Sequence, residues 1–304
     1  MRTENPPINE SIREISNCSW LIADKLVLLR QPSPPSDQPS WSDGKDSFYV
    51  LSEVPGALPE SIPLSDTSGI KKVYDAGGVS AVWRVGEAFI KVKKVALPNA
   101  TREHVTLDYL RANRSLNFDI PDVHYHGEFD GRYYIVLSRV PGPTLAEVWP
   151  GLDDTARQNY AHRVAITCQE LATWKSNAIS GVDGRELPDT FLNKLKAEKN
   201  CDPQHLLNNC RELGMDCSSF VFYHCDLGPG NIIANQDSVG IIDWETAGFV
   251  PVEWIRTKFC ISSGMDLPVG DEDARSDWRR LVSRQLGRLG FVEIADEWLE
   301  WWTA

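Results

Sequence analysis

The sequence predicts an α+β protein with two lobes, a small β-rich N-lobe followed by a larger α-rich C-lobe. Short apolar runs with period-two alternation, separated by glycine-containing turns, occupy residues 66–140 and are typical of strands. From residue 141 onward, apolar residues recur mainly at helical spacing. The chain has 304 residues, of which 42% are hydrophobic, so it can bury a sizeable core without disulfides.

The N-lobe is predicted to be a sheet that holds one helix. Strands are expected at residues 70–74, 79–85, 88–92, 122–127 and 133–140. A helix is expected from Pro98 to Asn113, because Glu103, Leu107 and Leu110 share one helical face. The preceding residues, 1–65, are expected to form an extension that packs on the body.

The extension lacks a clear pattern of its own. Residues 20–29 are apolar and predict a short strand or helix, and residues 31–39 are rich in proline and serine. Such composition favours extended, poorly packed chain. The chain is therefore divided into the extension (1–65), the N-lobe (66–140) and the C-lobe (141–304).

The C-lobe is predicted to be helical over residues 153–175, 187–213 and 252–304. Tyr160, Val164, Cys168 and Leu171 form an apolar stripe of helical period in the first of these segments. A strand at 220–224 and a hairpin pairing 232–234 with 240–243 interrupt the helices.

Composition excludes several classes of protein. The formal net charge of -12 repels nucleic-acid phosphates, so no nucleic-acid partner is expected. The sequence has neither a signal peptide nor a run of apolar residues long enough to span a bilayer, so a cytoplasmic protein without a membrane partner is expected. Its seven cysteines include no closely spaced pair, which disfavours a disulfide framework or a structural zinc site.

The motif with the clearest chemistry lies between the predicted strand and hairpin of the C-lobe. It contains His224, Asp226 and Asn231, and Asp243 follows 12 residues after Asn231. Phosphoryl transfer needs a carboxylate that accepts the proton of an attacking hydroxyl, together with oxygen ligands for Mg²⁺. Asp226 fits the base, Asn231 and Asp243 fit the metal ligands, and His224 fits a brace of the loop. The alternative is an ordinary turn, since Asp, Gly and Asn are common in turns.

Two further residues suggest a phosphate-binding pair. Lys91 lies within an apolar predicted strand, where an inward lysine needs a partner, and Glu103 lies on the following helix. A lysine–glutamate pair of this kind orients nucleotide phosphates. The alternative is a lysine on an edge strand that faces solvent beside Lys93 and Lys94.

These motifs resemble the aminoglycoside phosphotransferase and choline kinase family, small-molecule kinases with a protein-kinase-like fold. The resemblance covers about residues 70–260. It is carried by these matching segments: 89–92, 102–103, 137–145, 224–231 and 242–245. It implies ATP and Mg²⁺ as cofactors, a nucleotide-binding N-lobe, and a C-lobe with the catalytic loop and the acceptor site.

The resemblance also assigns further residues. Ser138 to Val140 would form the interlobe hinge that binds adenine, with Val140 as the amide donor. The phosphate-covering loop would include Gly77, Gly78 and Ser80, although Gly-Gly is also an ordinary hairpin turn.

The sequence departs from the family pattern in ways that bear on activity. Cys225 stands where the family usually has glycine, and no G-x-G-x-x-G pattern is present. Trp244 and Glu245 follow the metal aspartate where protein kinases have Phe-Gly, which favours a small molecule as acceptor. Glu245 and Glu253 are the expected acceptor contacts.

The function expected from the sequence is transfer of the ATP γ-phosphoryl group to a hydroxyl of a small molecule, with Asp226 as general base. The alternative is a catalytically inactive or repurposed kinase-fold protein that binds a nucleotide or a metabolite.

Overall fold

The computed structural model describes residues 6–112, 116–235 and 238–304. The chain divides into two compact units. The first contains residues 6–98 and 121–139, and the second contains the described residues of 99–120 and 140–304. No helix in these described ranges is both long and apolar enough to cross a membrane.

The first unit is built from strands. They are β1 (Ile12–Ser16), β2 (Ser19–Ile22), β3 (Leu26–Gln31), β4 (Ser40–Ser42), β5 (Phe48–Glu53), β6 (Ile62–Pro63), β7 (Ile70–Asp75), β8 (Ser80–Val85), β9 (Ala88–Lys94), β10 (Val123–Phe129) and β11 (Arg132–Ser138). One sheet has the order β4-β5-β3-β2-β1-β6 and the other the order β10-β11-β9-β8-β7. The paired strands are antiparallel in both sheets.

The N-terminal residues are better ordered than their composition indicates. The apolar run 20–29 is split into β2 and β3 by a turn in which Ala23 and Asp24 both have left-handed φ angles, 48° and 57°. Trp20, Leu28 and Trp41 are buried in the same core cluster as Trp83 and Tyr134 of the second sheet. The two sheets therefore share one core, and the compact unit does not separate residues 1–65 from the strands that follow.

The second unit is mainly helical. Its elements are α1 (Glu103–Ala112), α2 (Leu145–Val148), α3 (Asp154–Leu171), β12 (Lys175–Ser176), α4 (Pro203–Glu212), β13 (Phe220–Tyr223), β14 (Ile232–Ala234), β15 (Val239–Ile241), β16 (Gly248–Val250), α5 (Val252–Ile261), α6 (Glu272–Arg288) and α7 (Ala295–Thr303). Aspartates cap three helices: Asp153 begins α3, Asp202 begins α4 and Asp271 begins α6.

The predicted fold class is confirmed, with a strand-rich N-terminal region and a helical C-terminal region. Two elements differ in extent. Helix α1 begins at Glu103 instead of Pro98, and its predicted end, Asn113, lies outside the described residues. Between 187 and 213 only a short 3₁₀ turn (Thr190–Leu192) and α4 are helical. Helix α1 belongs to the second unit, not to the strands that flank it in sequence.

Candidate active site

The site is assembled at the end of β13, where the chain leaves a buried strand and forms a tight loop. His224 is fully buried, and its Nε2 donates to the carbonyl oxygen of Ile242 at 3.0 Å. Its Nδ1 accepts the backbone N–H of Asp226 at 3.3 Å. Because a carbonyl can only accept, Nε2 carries the ring proton and Nδ1 is the acceptor. The ring thus joins the loop to the residue after β15, and the role of His224 as a brace for catalysis stays a prediction.

Asn231 closes the loop on Asp226. Its Nδ2 donates to the Asp226 carbonyl oxygen at 2.8 Å and lies 3.5 Å from Asp226 Oδ2. The antiparallel hairpin pairs Ile232 of β14 with Ile241 of β15, and the Ile242 amide donates to the Asn231 carbonyl at 3.0 Å. The register therefore brings Asn231 and the segment containing Asp243 to the same end of the hairpin.

Asp226 has an unusual environment for a carboxylate. Its pKa is raised to about 6, first of all by burial. The ammonium of Lys258 opposes this rise, whereas three nearby carboxylates support it: Asp243, Asp189 and Glu245. A partly buried carboxylate with a raised pKa is typical of a general base.

Oxygen ligands suited to a divalent cation converge beside Asp226. Glu103 is buried, and carboxylate oxygens of Glu103, Asp243 and Glu245 all lie within 4.8 Å of one another. Carboxylates this close repel one another unless a cation or a proton is shared among them. Asn231 adds a carboxamide oxygen, since its nitrogen faces Asp226. An all-oxygen set of this kind fits Mg²⁺.

Glu103 has a partner that the sequence did not predict. Its Oε1 accepts the backbone N–H of Trp244 at 3.1 Å, which ties the first residue of α1 to the residue after Asp243. Lys91, its predicted partner, lies in β9 opposite Ile135. Since Lys91 and Glu103 belong to different compact units, their pairing stays a prediction.

The residues assigned to nucleotide binding lie in the first unit, apart from Val140 and Glu103. Gly77 and Gly78 form the turn between β7 and β8, where Gly77 has φ 62° and donates its N–H to Asp75 Oδ1 at 2.8 Å. Ser80 is buried at the start of β8. Ser138 ends β11. Their phosphate and adenine roles stay predictions.

Val140 and Glu253 belong to the second unit. Val140 is buried, and its side chain packs so closely on Gly240 that a Cβ there would lie 2.5 Å from Val140 Cγ1. Glu253 lies in α5, where its Oε1 accepts the backbone N–H of Asp216 at 3.2 Å. The structure thus joins Glu245, but not Glu253, to the carboxylates around Asp226.

Sequence reasoning missed a buried ion pair that acts on Asp226. Lys258 Nζ lies 3.0 Å from Asp189 Oδ1, and both side chains are at most 4% exposed. Trp254 Nε1 donates to the other oxygen of Asp189 at 2.8 Å. Trp254 and Lys258 are one helical turn apart on α5, but nothing in the sequence links them to Asp189, which lies 69 residues before Lys258.

The backbone of Cys225 has a conformation that glycine adopts more easily than other residues. Its φ is 65°, in the left-handed region, and its side chain is buried. Burial raises the pKa of the Cys225 thiol well above its usual value, so the group is neutral and no nucleophile.

Substitutions at Cys225 should separate backbone strain from packing. Cys225→Gly relieves left-handed strain of about 1–2 kcal/mol and loses a similar amount of packing, so the unfolding free energy should change by at most about 1 kcal/mol. Cys225→Val places a β-branched residue at the same φ and should cost about 2–4 kcal/mol. Urea unfolding measures both, and a Val variant as stable as the unaltered chain would contradict the φ assignment.

Taken together, these side chains have the composition of a phosphotransferase site. The chain belongs to the phosphotransferase enzyme family, whose family model matches residues 74–254. This confirms the family resemblance. No curated protein matches the chain.

Solved structures of aminoglycoside phosphotransferases are similar to this chain. APH(3'')-Id from Streptomyces rimosus is 16% identical, with a TM-score of 0.46, and the match covers 77% of this chain and 91% of that one. A type VIII aminoglycoside-3'-phosphotransferase is 17% identical with the same TM-score and the same coverages. The complex of APH(2'')-IIa with streptomycin and ATP is 15% identical, with a TM-score of 0.43 and coverages of 72% and 76%.

Proposed function

We propose that this phosphotransferase moves the γ-phosphoryl group of ATP to a hydroxyl of a small molecule, with Asp226 as the general base. The observation that carries the proposal is the loop geometry: His224 and Asn231 hold the Asp226 backbone while its carboxylate stays beside Asp243. The buried His224 supports the proposal because its two ring nitrogens bond the Asp226 amide and the Ile242 carbonyl, which joins the loop to the residue before Asp243.

In the proposed reaction, Asp226 accepts a hydrogen bond from the acceptor hydroxyl and takes its proton as the oxygen attacks phosphorus. The new O–P bond forms as the bond between the γ-phosphorus and the bridging oxygen breaks, and ADP leaves with that electron pair. Mg²⁺, held by Asn231 and Asp243, would neutralise phosphate charge. His224 and Asn231 keep Asp226 in position throughout.

Lys91 is proposed to contact the α- and β-phosphates through its positively charged side chain. The backbone of residues 138–140 is proposed to bind adenine. The acceptor is proposed to be a small molecule because Trp244 and Glu245 follow Asp243 where protein kinases have Phe-Gly. Glu245 is the carboxylate closest in sequence to Asp243 and is proposed to contact the acceptor or the metal.

An ADP-release screen with amino alcohols, sugars, hydroxylated amines and aminoglycosides tests the proposal. The unaltered chain should release ADP only with Mg²⁺ and with particular acceptors, and Asp226→Asn should not. Stabilisation by ATP and Mg²⁺ without acceptor-dependent ADP release would instead support a nucleotide-binding protein without transferase activity. Absence of any nucleotide binding would contradict both.

A further inference from the structure

The short strand β4 from the N-terminal sheet contacts the turn between β8 and β9. The carbonyl oxygen of Ser42 accepts the backbone N–H of Glu87 at 3.0 Å. Trp41, only 5% exposed, donates its Nε1–H to the carbonyl oxygen of Val85 at 2.8 Å. The N-terminal sheet therefore bonds both ends of this turn.

Gly86, between these two bonds, shows how close the contact is. Its φ is 60°, and a Cβ built on it would lie 2.6 Å from the Ser42 carbonyl oxygen and 2.7 Å from Asp43 Cα. Both distances are shorter than real Cβ contacts. Any larger residue would push β4 away from the turn.

The same turn holds the chain just beyond β11. The carbonyl oxygen of Glu87 accepts the backbone N–H of Arg139 at 2.8 Å, and Glu87 Oε2 accepts Nε–H of Arg139 at 2.8 Å. Glu87 thus donates to Ser42 on one side and accepts from Arg139 on the other. We call this group, consisting of Trp41, Ser42, Gly86, Glu87 and Arg139, the Glu87 bracket.

Asp122, the residue directly before β10, holds the neighbouring residue, Ser138. The Ser138 amide donates to the Asp122 carbonyl at 2.8 Å, and the Asp122 amide donates to Ser138 Oγ at 2.7 Å. Two residues after Asp122, within β10, the His124 ring stacks on Trp41 with centroids 5.6 Å apart and planes 16° apart. Trp41 therefore contacts Val85, next to the turn that bonds Arg139, and His124, two residues after the Asp122 that bonds Ser138.

We propose that the Glu87 bracket positions the backbone of residues 138 and 139 for adenine, so that the N-terminal sheet acts as a positioning element for nucleotide binding. This rests on the proposed function, which places adenine at that segment. Hydrogen bonds to a base weaken steeply when their angles change, so a backbone held before binding gives tighter binding than a mobile one. The N-terminal sheet lies outside the segment that the family model matches, residues 74–254.

Gly86→Ala in the full chain tests the proposal, with Gly131→Ala as the matched control. Gly131 lies in the turn between β10 and β11, also with a left-handed φ of 70°, but a Cβ there meets no atom within 4 Å. Isothermal titration calorimetry with Mg²⁺ would compare ADP, which carries adenine, with pyrophosphate, which does not. Gly86→Ala should weaken ADP about five- to tenfold, the worth of one hydrogen bond, and leave pyrophosphate unchanged.

Trp41→Phe is a milder second variant that keeps an aromatic ring in the core but loses the indole N–H bond to Val85 and part of the ring volume. Its control is Trp20→Phe in the same core, because Trp20 Nε1 has no hydrogen-bond partner among the described residues. Trp41→Phe should weaken ADP about two- to fivefold, and Trp20→Phe should not.

The outcomes separate the two proposals. If the unaltered chain binds neither ligand, the proposed function fails and the positioning role fails with it. If the unaltered chain binds ADP and both bracket variants bind it equally well, only the positioning role is overturned. Equal weakening of ADP and pyrophosphate would also overturn it, since that would show a general loss of the folded site.

Discussion

Replacing Asp226 by asparagine is expected to lower turnover by about 10²–10⁴-fold, the usual contribution of a general base. Asparagine keeps the size of the side chain and its place beside Asn231, but it cannot accept the hydroxyl proton. The measurement is initial ADP release with an acceptor found by the screen. Asp271→Asn is the matched control, because asparagine also caps helices and Asp271 only begins α6.

The same variant is expected to be more stable than the unaltered chain. Asp226 has a pKa of about 6 in the folded chain, against 3.8 as the ordinary value. A raised carboxyl pKa means that the folded state binds the proton more tightly, so stability falls as pH rises from about 4 to 6 and stays lower above that range. The shift in pKa means that the ionised Asp226 lowers the free energy of unfolding by about 1–3 kcal/mol at pH 8. A neutral asparagine avoids this loss.

Urea unfolding at pH 8 and at pH 4 measures this effect. The gain in unfolding free energy of Asp226→Asn should be present at pH 8 and shrink towards zero at pH 4. A variant with full activity would contradict the role of Asp226 as base. A variant less stable than the unaltered chain at pH 8 would contradict the buried, charge-repelled environment of the carboxylate.

Lys258→Met is expected to destabilise the chain by about 3–5 kcal/mol, the largest stability effect among the substitutions considered. Asp189 and Lys258 are at most 4% exposed and 3.0 Å apart. Methionine fills the space of the lysine side chain, but the buried Asp189 carboxylate then lacks the positive charge of Lys258. Trp254 and the Phe191 amide still donate to Asp189, so the aspartate keeps hydrogen bonds but loses the opposite charge.

Lys194→Met is the matched control for Lys258→Met. Lys194 pairs with Glu212 at 3.6 Å, but these side chains are 40% and 56% exposed. Exposed pairs contribute about 0–1 kcal/mol, so this variant should unfold at nearly the same urea concentration as the unaltered chain. Similar small losses in both variants would show that Lys258 and Asp189 are solvated in solution.

Local patterns predicted the parts of the structure that depend on local chemistry. Alternating apolar residues placed β7 to β11, and the apolar runs 232–234 and 240–243 predicted the hairpin that follows the loop of Asp226 and Asn231. Residues 236 and 237, which the prediction placed within the hairpin, lie outside the described residues. The loop spacing works because β14 and β15 are consecutive, so sequence distance fixes their register.

The N-terminal sheet escaped prediction for a physical reason. Its strands are short and separated by proline- and serine-rich chain, and their order, β4-β5-β3-β2-β1-β6, follows from which faces cover the core of the next sheet. Local propensity contains no information on such distant packing.

Long-range polar contacts were missed for the same reason. Glu103 bonds the Trp244 amide, 141 residues away, and Asp189 pairs with Lys258. In each case a single buried polar side chain needs a partner, but the sequence does not say which one.

The affinity for ATP with and without Mg²⁺ tests the central claim most directly, because the claim is that Asp226, Asn231 and Asp243 surround a metal-bound nucleotide. Calorimetry needs no knowledge of the acceptor. Mg²⁺ should raise the affinity for ATP of both the unaltered chain and Asp271→Asn. In Asp243→Asn the affinity for the metal should fall about 10–100-fold, so Mg²⁺ should no longer raise the affinity for ATP. ATP binding that Mg²⁺ tightens equally in Asp243→Asn and in the unaltered chain would contradict the account.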